Sequence, residues 1–238
     1  MKVIVVGNGG REHTIAWKIA QSAKVETVFC VPGNGGTANE SKCVNIDVKS
    51  LDYLKAGENP YVAVAKHEGC ELAVIGPEDP LAEGLADEFW NAGIPCVGPK
   101  KAGAQLEASK DLSKEFMEKY NVACAKSKTF TNQKAAEEYV RQHGAPIVIK
   151  ADGLAAGKGV VVAANVEDAL AAVAELMDSN GRVGAAGSKL VIEDYLQGVE
   201  ISVLAAVNVA VICVNVPSPL STGVPRSQDC VNVASSSS

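Results

Sequence analysis

The segment Ile147–Ala163, IVIKADGLAAGKGVVVA, decides how the rest of the chain is read. An apolar run ends at Lys150, a loop carries Gly153, Gly157 and Gly159, and a second β-branched run begins at Val160. Two such runs joined by a glycine-rich connection predict an antiparallel hairpin. The glycines let backbone N–H groups approach a phosphate closely, and Lys150 and Lys158 add an ammonium group at each end of the loop. The pattern points to a flexible lid over a polyphosphate. A P-loop is excluded, because GxxxxGK[ST] needs Ser or Thr where Gly159 follows Lys158. An ordinary glycine-bearing hairpin with solvated lysines is the competing reading.

Upstream of this segment the first hundred residues alternate strand and helix. Lys2–Val6, Thr27–Val31, Leu72–Ile75 and Pro95–Val97 read as strands, most of them ending in glycine turns. Glu12–Ser22 and Leu81–Asn91 have helical spacing between them. This order predicts a doubly wound parallel sheet with ligands at the carboxyl ends of its strands. A long helix is expected over Gly103–Tyr120, and near Lys119–Ala125 the character changes. Strand Ala125–Phe130, helix Gln133–His143, the glycine hairpin, helix Val166–Met177 and strand Leu190–Tyr195 form an α+β pattern.

GNGGREH, Gly7–His13, sits at a strand-to-helix turn but is not a dinucleotide fingerprint. GxGxxG requires glycine where the chain has Glu12, and no acidic residue ends the second strand. Backbone N–H groups of Gly9 and Gly10 at a helix start, with the guanidinium of Arg11, still suit one phosphate. A purely structural tight turn is the alternative. His13 reads as a packing or surface residue, and His67 and His143 show no partner.

Composition narrows the function classes. The chain has 238 residues, 47% of them apolar and 21% charged, with a net charge of −6. That balance suits one large or two small domains with a sizeable core and argues against nucleic acid as the main partner. Seven cysteines without a CxxC pair fit reduced thiols, most of them small core residues. No secretory leader is expected at Met1–Gly7, and the apolar run Val203–Val216 is too short to span a bilayer. A cytoplasmic protein without membrane partners is expected.

Taken together, GNGGREH, PGNGGTA (Pro32–Ala38), GPEDPL (Gly76–Leu81), AQLEASKDLSKEFM (Ala104–Met117), APIVIKADGLAAGKGVVVA (Ala145–Ala163) and VIEDYLQGVEIS (Val191–Ser202) resemble glycinamide ribonucleotide synthetases. These phosphoribosylamine–glycine ligases belong to the ATP-grasp superfamily. The resemblance covers about residues 1–204. It implies a doubly wound, Rossmann-like phosphosugar-binding (pre-ATP-grasp) domain over 1–105. An α+β ATP-grasp domain follows over 106–204, with its first lobe and the start of its second, incomplete at the C-terminus. Residues 205–238 are then a divergent or disordered tail.

The activity so implied is ATP-dependent ligation of glycine to 5-phosphoribosylamine through a glycyl phosphate, the second step of de novo purine synthesis. ATP and Mg²⁺ are the implied cofactors, and membership of a multifunctional purine enzyme is a possible context. A nucleotide- or phosphosugar-binding fragment without turnover is the alternative. Lys110 and Lys150 match the family's ATP-phosphate lysines, and Gly153, Gly157, Lys158 and Gly159 its phosphate-covering loop. Glu193 and Leu196 match the adenine hinge, and Glu200 the ribose acceptor. Gly9, Gly10, Arg11, Gly76, Pro77 and Glu78 match the sugar-phosphate side. No catalytic residue and no metal ligand is singled out.

Beyond Ser202 the family pattern stops. Ser227-Gln228-Asp229 begins like the family's QDHKR segment, but Cys230 stands where histidine is expected. Nothing in Val203–Ser238 offers the oxygen ligands that Mg²⁺ needs. A truncated, frame-shifted or mis-spliced product is the expected origin of the tail. Its strands are expected to lack sheet neighbours and to present an aggregation-prone edge.

Overall fold

Five parallel strands build the first sheet: β1 (Lys2–Gly7), β2 (Thr27–Pro32), β3 (Cys43–Asn45), β4 (Leu72–Ile75) and β5 (Cys96–Val97), in the order β3-β2-β1-β4-β5. The computed structural model describes residues 1–155 and 158–198, and the backbone of 204–207, 212–215 and 231–232. Val3, Ile4, Val5 and Val6 are at most 1% exposed, as a parallel strand covered on both faces requires. Ile4, Val6, Phe29 and Val31 face α2 (Pro60–Glu68) and α4 (Leu85–Asn91), whereas Val3, Val5 and Val28 face α1 (Gly10–Ala20). The chain winds outward from β1 to β3, returns through α2 to β4, and so reverses direction between β1 and β4.

Two elements here were not foreseen. The strand β3 has only three residues, too few to show a period. Helix α2 is bounded by local chemistry: the Asn59 side chain accepts from Tyr61 and Val62 N–H, Pro60 is the first helical residue, and Gly69 ends it at φ +71°. Two expected helices are each broken in two. Gly84 at φ +106° separates α3 (Glu78–Glu83) from α4. Ser109, extended at φ −129°, separates α5 (Lys101–Ala108) from α6 (Lys110–Lys119) and caps the latter through Leu112 N–H.

The second sheet is antiparallel, in the order β6 (Ser127–Phe130), β9 (Leu190–Asp194), β7 (Ile147–Ala151) and β8 (Val160–Ala163). The β7–β8 pair is the hairpin read from the glycine segment. Ile147, Ile149, Leu190 and Ile192 point to one face, where α7 (Gln133–His143) and α8 (Val166–Leu176) cover them with Ala136, Val140, Val173 and Leu176. Strand alternation sends Lys150 and Glu193 to the opposite face.

The chain divides into two compact units, Met1–Tyr195 and Leu196–Ser238. In the second, β10 (Leu204–Val207), β11 (Ile212–Asn215) and β12 (Val231–Asn232) form an antiparallel sheet in that order. The expectation of strands without neighbours is corrected: a local hairpin provides each with a partner. Among the described residues no helix is long and apolar enough to cross a membrane.

Candidate functional site

Within the first unit, a pocket of about 410 Å³ opens between α6, the end of β7 and the loop that follows it. Lys110, Lys114 and Lys150 line it together with Glu78, Glu107 and Glu193, and Gly153 and Gly159 form its glycine wall. Three ammonium groups meet three carboxylates, so the pocket's character depends on which of them are paired. Glu193, 7% exposed, accepts from Lys150 at 3.0 Å and lies 3.3 Å from Lys114. A carboxylate buried this far is tolerated because two cations share it. Lys114 also donates to the Ala125 carbonyl, tying α6 to the segment that enters β6.

Lys110 differs from the other two lysines. Among the described residues, its ammonium donates to the neutral Gly153 carbonyl at 2.9 Å and to no carboxylate. The break at Ser109 places it at the first position of α6, where the helix dipole also favours an anion. The pocket therefore presents, among the described residues, an ammonium group bonded to a neutral carbonyl beside a glycine wall, an arrangement suited to phosphate oxygens.

The positions read from the sequence are distributed as follows. Lys110, Lys150, Gly153, Gly159, Glu193 and Glu78 come together around the pocket. Lys158 is exposed and outside the lining, with its N–H bonded to the Ala155 carbonyl. Leu196, 68% exposed, opens the second unit. Gly157 and Glu200 lie outside the described residues. Lys114 was missed, although its spacing of four from Lys110 puts both on one helix face.

A second cluster occupies the carboxyl ends of β1 and β4, where the strand order reverses and α/β sheets take their ligands. Glu12 is only 5% exposed and fills the space between Gly7 and Gly76, where any added Cβ would run into its side chain. Its carboxylate accepts from Gly9 N–H at 2.8 Å and from Arg11 at 3.0 Å. Arg11 reaches Glu78 with its other end at 3.0 Å, which holds the Glu78 carboxyl below its ordinary range. At this expected phosphate seat, Gly9 N–H and Arg11 thus already bond carboxylates, while Gly10 N–H, in the first helical turn, has no partner among the described residues. Pro77 caps α3, whose first residue is Glu78.

The turn Pro32–Ala38 closes on the same edge. Asn34 donates to the Asn8 carbonyl at 2.9 Å, while its own oxygen accepts from Gly36 and Thr37 N–H. His13 meets Glu40 at 2.9 Å across the gap.

Residues 1–107 match the phosphoribosylglycinamide synthetase N domain, and residues 108–218 the ATP-grasp (A) domain of the same synthetase, extending past the 204 at which the motifs end. The phosphoribosylamine–glycine ligase of Neisseria meningitidis serogroup B is 51% identical over 208 residues, covering 87% of this chain and 47% of that protein. The crystal structure of phosphoribosylamine–glycine ligase from Thermotoga maritima aligns with a TM-score of 0.67 at 28% identity, over 90% of this chain and 49% of that one. The biotin carboxylase domain of Hydrogenobacter thermophilus 2-oxoglutarate carboxylase shares the fold alone, with a TM-score of 0.61 at 23% identity over 82% of this chain and 44% of that one. The chain spans about half the length of the curated relatives it matches. The first match takes in the parallel sheet and the second the antiparallel sheet of the first unit with β10 and β11, and the chain belongs to the phosphoribosylglycinamide synthetase family.

Proposed function

We propose that this chain carries the phosphosugar-binding and nucleotide-binding parts of a phosphoribosylamine–glycine ligase. In that reaction ATP, glycine and 5-phosphoribosylamine give glycinamide ribonucleotide, ADP and phosphate. The observation that carries the reading is the Lys110 ammonium, bonded to a neutral carbonyl beside the glycine wall, in a chain 51% identical to a ligase of that name. Residues 1–105 form the phosphosugar domain and 106–204 the ATP-grasp portion.

Lys110, Lys150, Lys158, Gly153, Gly157 and Gly159 act on the triphosphate. Glu193 and the Leu196 backbone form the adenine hinge, and Glu200 accepts from the ribose. Gly9, Gly10, Arg11, Gly76, Pro77 and Glu78 form the phosphosugar side of the site. A carboxylate is a poor electrophile until one oxygen becomes part of a phosphate, so the protein's task is positioning and charge neutralisation. Lysines and backbone amides provide both.

The donor set of the pocket fits a polyphosphate. Among the described residues no three His, Cys, Asp or Glu side chains group into an all-protein metal cage, and no step is assigned to Mg²⁺. The same fold holds magnesium ADP in the 2-oxoglutarate carboxylase domain. A second reading is nucleotide or phosphosugar binding without turnover; the chain covers 47% of that relative's length.

Calorimetry with ATP and an ADP-release assay with glycine and phosphoribosylamine separate the two readings. Lys110→Ala is expected to weaken ATP binding at least about tenfold, the worth of one charge-assisted hydrogen bond. Unchanged affinity would remove the nucleotide assignment.

A further inference from the structure

Asp152 stands at the point where β7 leaves the sheet, one residue before Gly153, and its carboxylate is not among the groups lining the pocket. It accepts from the Ser109 hydroxyl and from Asp111 N–H, each at 3.2 Å, and lies 3.6 Å from the Lys189 ammonium. Lys189 bonds Asp111 at 2.8 Å, and its carbonyl accepts from Asp152 N–H. Lys110 lies between the two residues that donate to Asp152, and its ammonium rests on the carbonyl of the residue that follows Asp152. One carboxylate therefore fixes both the backbone root of Lys110 and the oxygen that its head contacts.

We propose that Asp152 is the positioning residue for the phosphate-binding lysine, an inference that rests on the nucleotide reading above. A lysine side chain is long and rotatable, and a phosphate that has to order it loses affinity in doing so. Here the ordering is built in before the ligand arrives. The α6 start is fastened to the first residue of the glycine loop, so the helix lysine and the loop amides face the same space. The charge matters as well as the shape. Asp152 faces two donors and a cation, whereas an Asn amide would turn an N–H toward at least one of them.

The test is calorimetry on the full 238-residue chain and its Asp152→Asn variant, with ATP and with adenosine. The expected result is ATP affinity lowered at least about tenfold with adenosine affinity within about twofold, because only phosphate contacts depend on Lys110. A general loss of structure would weaken both ligands alike, and that outcome overturns the proposal, as does an unchanged ATP affinity. Should Asp152→Asn fail to fold, Ser109→Ala removes one of the same bonds; it is expected to weaken ATP about threefold and to spare adenosine. Unaltered ATP binding by folded Ser109→Ala likewise overturns it. Absence of ATP binding by the unsubstituted chain is a separate result, which removes the nucleotide reading and the inference together.

Discussion

Glu12 shows how much one side chain can decide. At the third glycine position of a dinucleotide fingerprint it looks like a simple mismatch, yet folding makes it a buried cap that fills the cleft between Gly7 and Gly76. The two histidines without partners in the sequence find them in space. His67 stacks on Tyr53 with ring centroids 3.9 Å apart, and His143 meets Asp194 at 3.2 Å. Burial pushes the Cys30 and Cys70 thiols up to about 12, which makes them core residues rather than nucleophiles. Asp111 has the opposite shift: hydrogen bonds from Lys189 and then Thr129 hold its carboxyl below the ordinary 3.8. Its contribution to stability is complete above that value and is lost as pH falls through the lower folded one. Urea unfolding of Asp111→Asn and the parent between roughly pH 2 and 6 is expected to show the stability difference shrinking toward the acid end.

Secondary-structure elements were legible where a period repeats and illegible where a single residue interrupts it. Helix α7 lies where its spacing places it, and the glycine hairpin forms as read. The helices expected over Leu81–Asn91 and Gly103–Tyr120 keep their apolar spacing across Gly84 and Ser109, so periodicity alone cannot reveal the breaks. Both breaks have consequences for the site. The Ser109 break puts Lys110 at a helix start, and the Gly84 break lets Glu78 begin a short helix of its own next to Arg11. Gly84 holds φ +106°, and an added Cβ would stand 3.3 Å from the Lys101 side chain. Gly84→Ala is therefore expected to cost about 1–2 kcal/mol of stability, measured by urea unfolding, with α4 rather than the second sheet losing hydrogen-exchange protection.

The whole first unit rests on apolar clusters on both faces of the parallel sheet and on the helix-covered face of the antiparallel one. Phe89 and Ile149, both fully buried, anchor the two sheets, and Phe89→Ala and Ile149→Ala are each expected to cost about 3–4 kcal/mol in chemical unfolding. Ile149→Ala is also expected to weaken ATP binding, because it loosens the strand that carries Lys150, whereas Phe89→Ala leaves ATP affinity within about twofold. The amino-acid sequence by itself determined the parallel sheet, the antiparallel lobe, the glycine hairpin and the family. All of these are written in local spacing, glycine placement and ordered motifs. Only the tertiary structure decided how the charges of the pocket are paired. Glu193 is shared by Lys150 and Lys114 while Lys110 is left to a carbonyl, since pairing across 43 residues depends on strand register and on where a helix breaks. Those are long-range outcomes of packing, and no local pattern encodes them.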